Sequence, residues 1–172
     1  MKRMFRKSWG AEPGEGGTRF RLWAPGQKRL TLRCDGNDHP MTPTDGGWFE
    51  LTLRGVGAGA AYAFVLDTGQ VVPDPAARAQ TGDVHGPSRV MDPGAFDWSP
   101  WAGRPWEEAV IHEVHIGTFT PEGTFRAAID KLPHLAATGI TALEIMPVAQ
   151  FAGSRGWGYD GVLPYAPHPA YG

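Results

Sequence analysis

Residues 110–147 read VIHEVHIGTFTPEGTFRAAIDKLPHLAATGITALEIMP, and the succession of apolar periods in this stretch decides the fold. Val110-Ile111-His112-Glu113-Val114 is a short run rich in β-branched residues, the pattern of a strand. Thr124 is a good N-cap, and Phe125, Ile129, Leu132, Leu135 and Ala136 follow at helical spacing. Gly139 falls where a left-handed residue closes a helix. Thr141-Ala142-Leu143-Glu144-Ile145-Met146 is then a second strand, halted by Pro147. Pro133 deletes a donor inside the helical stretch, so either the helix kinks there or it is two short pieces with Pro133 near the start of the second. A strand–helix–strand unit of this length implies parallel strands and a right-handed crossover, with the ligand site on the loops that leave the strands' C-terminal ends. Those loops are residues 117–123 and 147–165.

On the N-terminal side the grammar is different. Arg19-Phe20-Arg21-Leu22-Trp23-Ala24 alternates, placing Phe20 and Leu22 on one face and Trp23 with the arginines on the other. Leu30, Leu32 and Cys34 repeat the alternation before the turn Asp35-Gly36-Asn37. Phe49, Leu51 and Leu53 are in register after Asp45-Gly46-Gly47, and Tyr62, Phe64 and Leu66 before Thr68-Gly69. Short alternating strands separated by Gly, Pro and Asp turns predict an immunoglobulin-like antiparallel β-sandwich over about residues 18–93. Gly55, Gly57 and Gly59 superficially resemble a phosphate loop, but no helix N-terminus follows, so they read as a hairpin connection. Residues 71–99 read as a long packed connection anchored by Val90, Met91, Phe96 and Trp98.

A formal net charge of −2 in 172 residues gives no electrostatic case for nucleic acid or an anionic membrane. Neutral small molecules are the better partners. Cys34 is the single cysteine, which excludes an intrachain disulfide. The basic N-terminus is followed by Gly-Ala-Glu-Pro-Gly-Glu-Gly-Gly rather than an apolar segment, so a secretory leader is not expected and a cytoplasmic location is. His112 and His115 stand three apart, on opposite faces of a strand, which argues against a shared metal ion. No cofactor is expected.

The stretch Arg155-Gly156-Trp157-Gly158-Tyr159-Asp160-Gly161 puts two aromatic faces and a carboxylate on glycine hinges, a combination that suits a flat, hydroxyl-rich sugar ring. Together with VIHEVHIGTFTPEGTF, LEIMPVAQF and APHPAYG, it resembles the opening of the catalytic barrel in the alpha-amylase superfamily, glycoside hydrolase family 13. FRLWAP at 20–25 and VPDPAARAQTGDVHGPSRVMDP at 72–93 resemble the N-terminal module of the malto-oligosyltrehalose trehalohydrolase branch. The resemblance implies a mixed fold. Residues 14–95 would form a β-sandwich like a carbohydrate-binding module, and residues 104–172 the first βαβ unit of an incomplete (β/α)8 barrel.

It also implies a partner, maltooligosyl trehalose or a related α-glucan, and a retaining hydrolysis that releases trehalose at the adjacent α-1,4 bond. Such chemistry needs two carboxyl groups about 5–5.5 Å apart across the sugar. In the family these stand on the fourth, fifth and seventh barrel strands, so none is assigned here and the chain alone is expected to be inactive. Tyr159 is expected by resemblance to stack on the sugar, or else to anchor its loop. Asp160 either meets sugar hydroxyls or accepts backbone N–H groups, and Trp157 completes the candidate substrate-binding set, chiefly as a loop anchor. His168 reads as a surface turn residue without a partner. Trp23 and Trp48 form either a glycan platform or the seam with the barrel, and a self-standing α-glucan-binding or interaction module is the alternative function.

Overall fold

Phe20 and Leu22 are buried while Trp23 is exposed, as period-2 alternation requires, and the sandwich is built around that inner face. A computed structural model describes residues 7–172; the basic stretch 1–6 lies outside the described residues. Strands β1 (Gly10–Gly14), β2 (Gly17–Trp23), β3 (Thr31–Cys34), β4 (Asn37–Pro40), β5 (Thr42–Thr44), β6 (Trp48–Leu53), β7 (Ala61–Val65), β8 (Val71–Val72) and β9 (Ser88–Arg89) form two antiparallel sheets. One is ordered β1-β2-β6-β5; the other is β4-β3-β7-β8, with β9 also on β7. Their facing sides bury Phe20, Leu22, Leu32, Phe49, Tyr62, Phe64 and Val90 in one core. The Phe20 and Tyr62 rings meet edge-on at 5.0 Å.

Three expectations for this half change. The link through Gly55, Gly57 and Gly59 is not a hairpin, because β6 and β7 belong to different sheets and the link crosses the sandwich edge. Of the four proposed anchors in 71–99 only Val90 is buried; Phe96 and Trp98 pack edge-on against each other at 4.8 Å in the open, and Met91 is exposed. Strand β1 was hidden by its composition, Gly-Ala-Glu-Pro-Gly, yet it pairs with β2 from Gly10↔Arg21 to Gly14↔Gly17. As an edge strand it tolerates Pro13.

The second half begins with β10 (Ile111–Val114), followed by the short helices α1 (Ile116–Phe119), α2 (Phe125–Ile129) and α3 (Leu132–Ala137), and then β11 (Ala142–Ile145). Strands β10 and β11 pair in parallel, Ile111↔Ala142 to Val114↔Ile145. Thr124 caps α2 by accepting the Ala127 N–H at 3.2 Å. The helical stretch is two pieces, with Pro133 in the first turn of α3, where its missing N–H costs nothing. Gly139 closes α3 at φ 94°, with Gly139 N–H to Ala136 C=O and Ile140 N–H to Leu135 C=O, both 3.1 Å. The break between α2 and α3 spoils the single stripe: Ile129 and Leu132 are exposed, while Ala128, Phe125 and Phe119 pack with Val114, Ile116, Phe151 and Tyr171.

Last come β12 (Ala149–Gln150) and β13 (Leu163–Pro167), an antiparallel pair closed by loop 151–162, and a 3₁₀ turn at Pro169–Tyr171. This pair docks on the sandwich. Leu163 and Ala166 pack on Ala77, the Gln150 Nε2 donates to the Gly82 carbonyl at 2.9 Å, and Tyr165 meets Trp9 edge-on with the Arg78 guanidinium over its ring.

Candidate functional site

His115 follows the last residue of β10 and caps α1, its carbonyl accepting the Thr118 and Phe119 N–H groups. Gly117 comes next because nothing larger fits: a Cβ there would stand 2.9 Å from the Tyr171 ring and 3.0 Å from the His115 ring. The two rings meet edge-on, centroids 5.9 Å apart. Across from them lies loop 151–162, whose Gly156 carbonyl faces the His115 Nε2 at 2.9 Å. Between these walls is a cleft of about 630 Å³ lined by His115, Thr118, Met146, Arg155, Trp157 and Tyr171. That size is within the range of about 300–1,000 Å³ typical of small-molecule sites.

The loop's shape is forced at its glycines. Gly158 has φ 96° and lies against the Pro147 carbonyl, where a side chain would collide. Gly156 sits against the Phe151 ring, and Phe151 stacks on His168 at 3.8 Å. His168 is therefore no surface residue: it is buried, its Nε2 lies 3.0 Å from the Gly153 carbonyl, and its Nδ1 accepts the Ala170 N–H. Accepting at Nδ1 makes Nε2 the donor, so one neutral imidazole satisfies both bonds.

Of the three candidate substrate residues, the cleft gathers one. Trp157 lines it and is 83% exposed, so it is not a buried anchor of the loop, a correction to the sequence reading. Tyr159 is 73% exposed and, like Asp160, is not among the residues lining the cleft. Asp160 still reaches the site through its charge: burial pushes the Tyr171 phenol up and the Asp160 carboxylate adds to that. The Tyr171 hydroxyl is buried without a partner among the described residues. Thr118 and Arg155 lie on the two loops the sequence assigns to the site, whereas the cleft positions of His115, Met146 and Tyr171 were missed; the available signal was the position of His115 and Met146 just past the C-terminal ends of parallel strands.

No carboxylate lines the cleft among the described residues. Glu113 and Glu144 stand opposite each other in register, but both are exposed and outside it. The arrangement offers an aromatic face, a guanidinium, hydroxyls and an imidazole. It can bind and orient a polyhydroxylated ring; it holds no acid/base pair. On the sandwich, Trp23 and Trp48 pair across β2 and β6, with the Arg21 guanidinium 4.1 Å over Trp48. Trp23 is 54% exposed there, its Nε1 donating to the Gly46 carbonyl at 2.9 Å.

The chain is 52% identical over 162 residues to a malto-oligosyltrehalose trehalohydrolase of Deinococcus radiodurans, covering 93% of this chain and 27% of that protein. It is 45% identical to the enzyme of the same name from Saccharolobus solfataricus, over 96% of this chain and 30% of that one. The chain thus spans less than a third of the length of these relatives. A crystal structure of a putative alpha amylase from Salmonella typhimurium superposes with a TM-score of 0.94 at 60% identity, over 98% of this chain and 29% of that one. The fold is also that of pullulanase type I from Bacillus subtilis, crystallised with maltose (TM-score 0.81, 23% identity, 98% of this chain and 29% of that one). Residues 8–93, half of the chain, match carbohydrate-binding module 48, the isoamylase N-terminal domain, and the chain belongs to that family.

Proposed function

We propose that this chain forms the glucan-facing opening of a trehalose-releasing glycoside hydrolase. In this reading the sandwich is its accessory module, and β10 to β11 are the first βαβ unit of a (β/α)8 barrel. The cleft receives one glucosyl ring of a maltooligosyl trehalose or related α-glucan. The observation that carries this reading is the exposed Trp157 in the wall of a cleft at the C-terminal ends of two parallel strands, the end at which barrel enzymes place their ligands. An indole face packs on the apolar C–H side of a pyranose, while Arg155 and Thr118 meet its hydroxyls. The names of the trehalohydrolase relatives support the substrate class. Tyr159 and Asp160, on the same loop, extend the sugar-binding surface. Since the cleft offers no acid/base pair, the chain binds α-glucan and does not cleave it.

Titration calorimetry with maltoheptaose tests this. The chain is expected to bind, Trp157→Ala to weaken binding at least about tenfold, and incubation with a maltooligosyl trehalose to release no trehalose. Binding unchanged in Trp157→Ala refutes the cleft as the site. A second reading, a glycan platform on the sandwich, draws on the exposed Trp23 beside Trp48; it predicts that Trp23→Ala, not Trp157→Ala, abolishes binding.

A further inference from the structure

We propose that His115 is the positioning residue of this cleft: its ring holds loop 151–162 by the Gly156 carbonyl, and that hold sets the affinity for α-glucan. The inference rests on the reading of the cleft as a glucan site. The loop has little of its own to keep it in place. Ala152, Gly153, Ser154, Arg155 and Trp157 are all exposed, and Gly153 and Gly158 occupy left-handed backbone. A segment with so few buried contacts opens readily unless something ties it down. The His168 Nε2 meets the Gly153 carbonyl and Gly158 lies against Pro147; between them Gly156 rests against the Phe151 ring on one side, and its carbonyl faces the His115 Nε2 at 2.9 Å on the other.

The His115 ring is itself fixed. Its backbone begins α1, its Nδ1 lies 3.4 Å from the Thr118 hydroxyl, the Tyr171 ring stands perpendicular to it with centroids 5.9 Å apart, and Gly117 leaves room for both rings. An acceptor at Gly156 requires the proton on Nε2. The consequence is a bond between residues 41 apart in sequence that carries the position of β10 directly to the peptide preceding Trp157. An indole that must stack on a sugar gains affinity from being held in advance.

Hydrogen exchange across residues 151–162 and maltoheptaose calorimetry, run on the full chain, test this with His115→Leu, His115→Gln and Gly117→Ala. His115→Leu is expected to speed exchange of the Val162 amide, which closes the loop by donating to the Gln150 carbonyl at 2.8 Å, about three- to tenfold and to weaken maltoheptaose by a similar factor, with β2 and β6 unaffected. The glutamine amide reaches the same acceptor, so His115→Gln restores both. Gly117→Ala, which displaces the ring, behaves as His115→Leu does and replaces it if the leucine variant does not fold. Loop exchange unchanged in the leucine variant overturns the proposal, as does faster exchange with affinity intact. Absence of maltoheptaose binding by the unsubstituted chain removes the glucan reading alone, and loop exchange then decides whether His115 holds the loop.

Discussion

Asp74 is fully buried, and the fold uses every part of it. Its carboxylate accepts the Tyr62 hydroxyl at 2.7 Å and the Ala76 N–H at 2.8 Å, and its own N–H donates to the Ser88 hydroxyl at 3.0 Å. One residue thus pins the turn that carries Ala77 and Arg78 to both β7 and β9. Asp74→Ala strands two buried donors and is expected to cost about 2–4 kcal/mol, a melting midpoint lower by roughly 5–10 °C. Burial pushes the Asp74 carboxyl up, against the pull of Tyr62 and the Ala76 N–H. A carboxyl raised in the folded state stabilises most below its unfolded value of about 3.9, and that contribution is lost as pH rises through the folded value. Glu12 runs the other way: burial opposes its ionisation, but the Lys7 N–H and the Arg19 guanidinium outweigh it and hold the carboxyl low. Its contribution is lost as pH falls. The gap in melting midpoint between the parent chain and Asp74→Ala should therefore narrow as pH rises from 4; a gap that widens contradicts the assignment. Nothing in Pro73-Asp74-Pro75 announces this role, because Tyr62 and Ser88 lie 12 and 14 residues away.

The elements divide by how much of their stabilisation is local. The alternating strands β2, β3, β6 and β7, the Thr124 cap and the Gly139 stop are legible because each is written in adjacent residues. Strands β1, β4 and β5 are not, since Gly, Pro, Asn and Thr carry no period; they exist because neighbouring strands offer them a ladder. The loop of the site was half legible. Its glycine–aromatic composition points to exposed aromatics, as found, but which aromatic lines the cleft depends on Gly158 and Pro147, which no spacing reveals. At the end of α3, open space surrounds Gly139, so Gly139→Ala tests backbone conformation alone. A φ of 94° is costly for any residue with a Cβ, and about 1 kcal/mol of local stability should be lost. Faster exchange confined to the Thr138–Ile140 amides is the expected sign; unchanged exchange means that the αL cap contributes nothing.

Between the sandwich and the βαβ unit, every residue from 91 to 108 is exposed, including Phe96, Trp98, Trp101 and Trp106. The two halves meet through small groups of contacts, among them Ala77 on Leu163 and Ala166, Trp9 and Arg78 on Tyr165, and the Gln150–Gly82 bond. They differ in what they bury. Among the described residues the sandwich closes a core of ten buried residues between two sheets, whereas the second half gathers five around Val114 and Tyr171, and its βαβ unit leaves Val110, Ile111, Ile129, Leu132 and Ile145 in solvent. The β10–β11 sheet also has two strands, each with an unpaired edge. Hydrophobic burial follows area, so the sandwich is the more stable of the two. Chymotrypsin, which cuts after aromatic residues, is accordingly expected to cleave first between Phe96 and Trp106. It should leave an N-terminal piece that resists further digestion and unfolds cooperatively, while the C-terminal piece is degraded. First cuts inside residues 8–90, or a C-terminal piece that persists as long as the sandwich, contradict this order of stability.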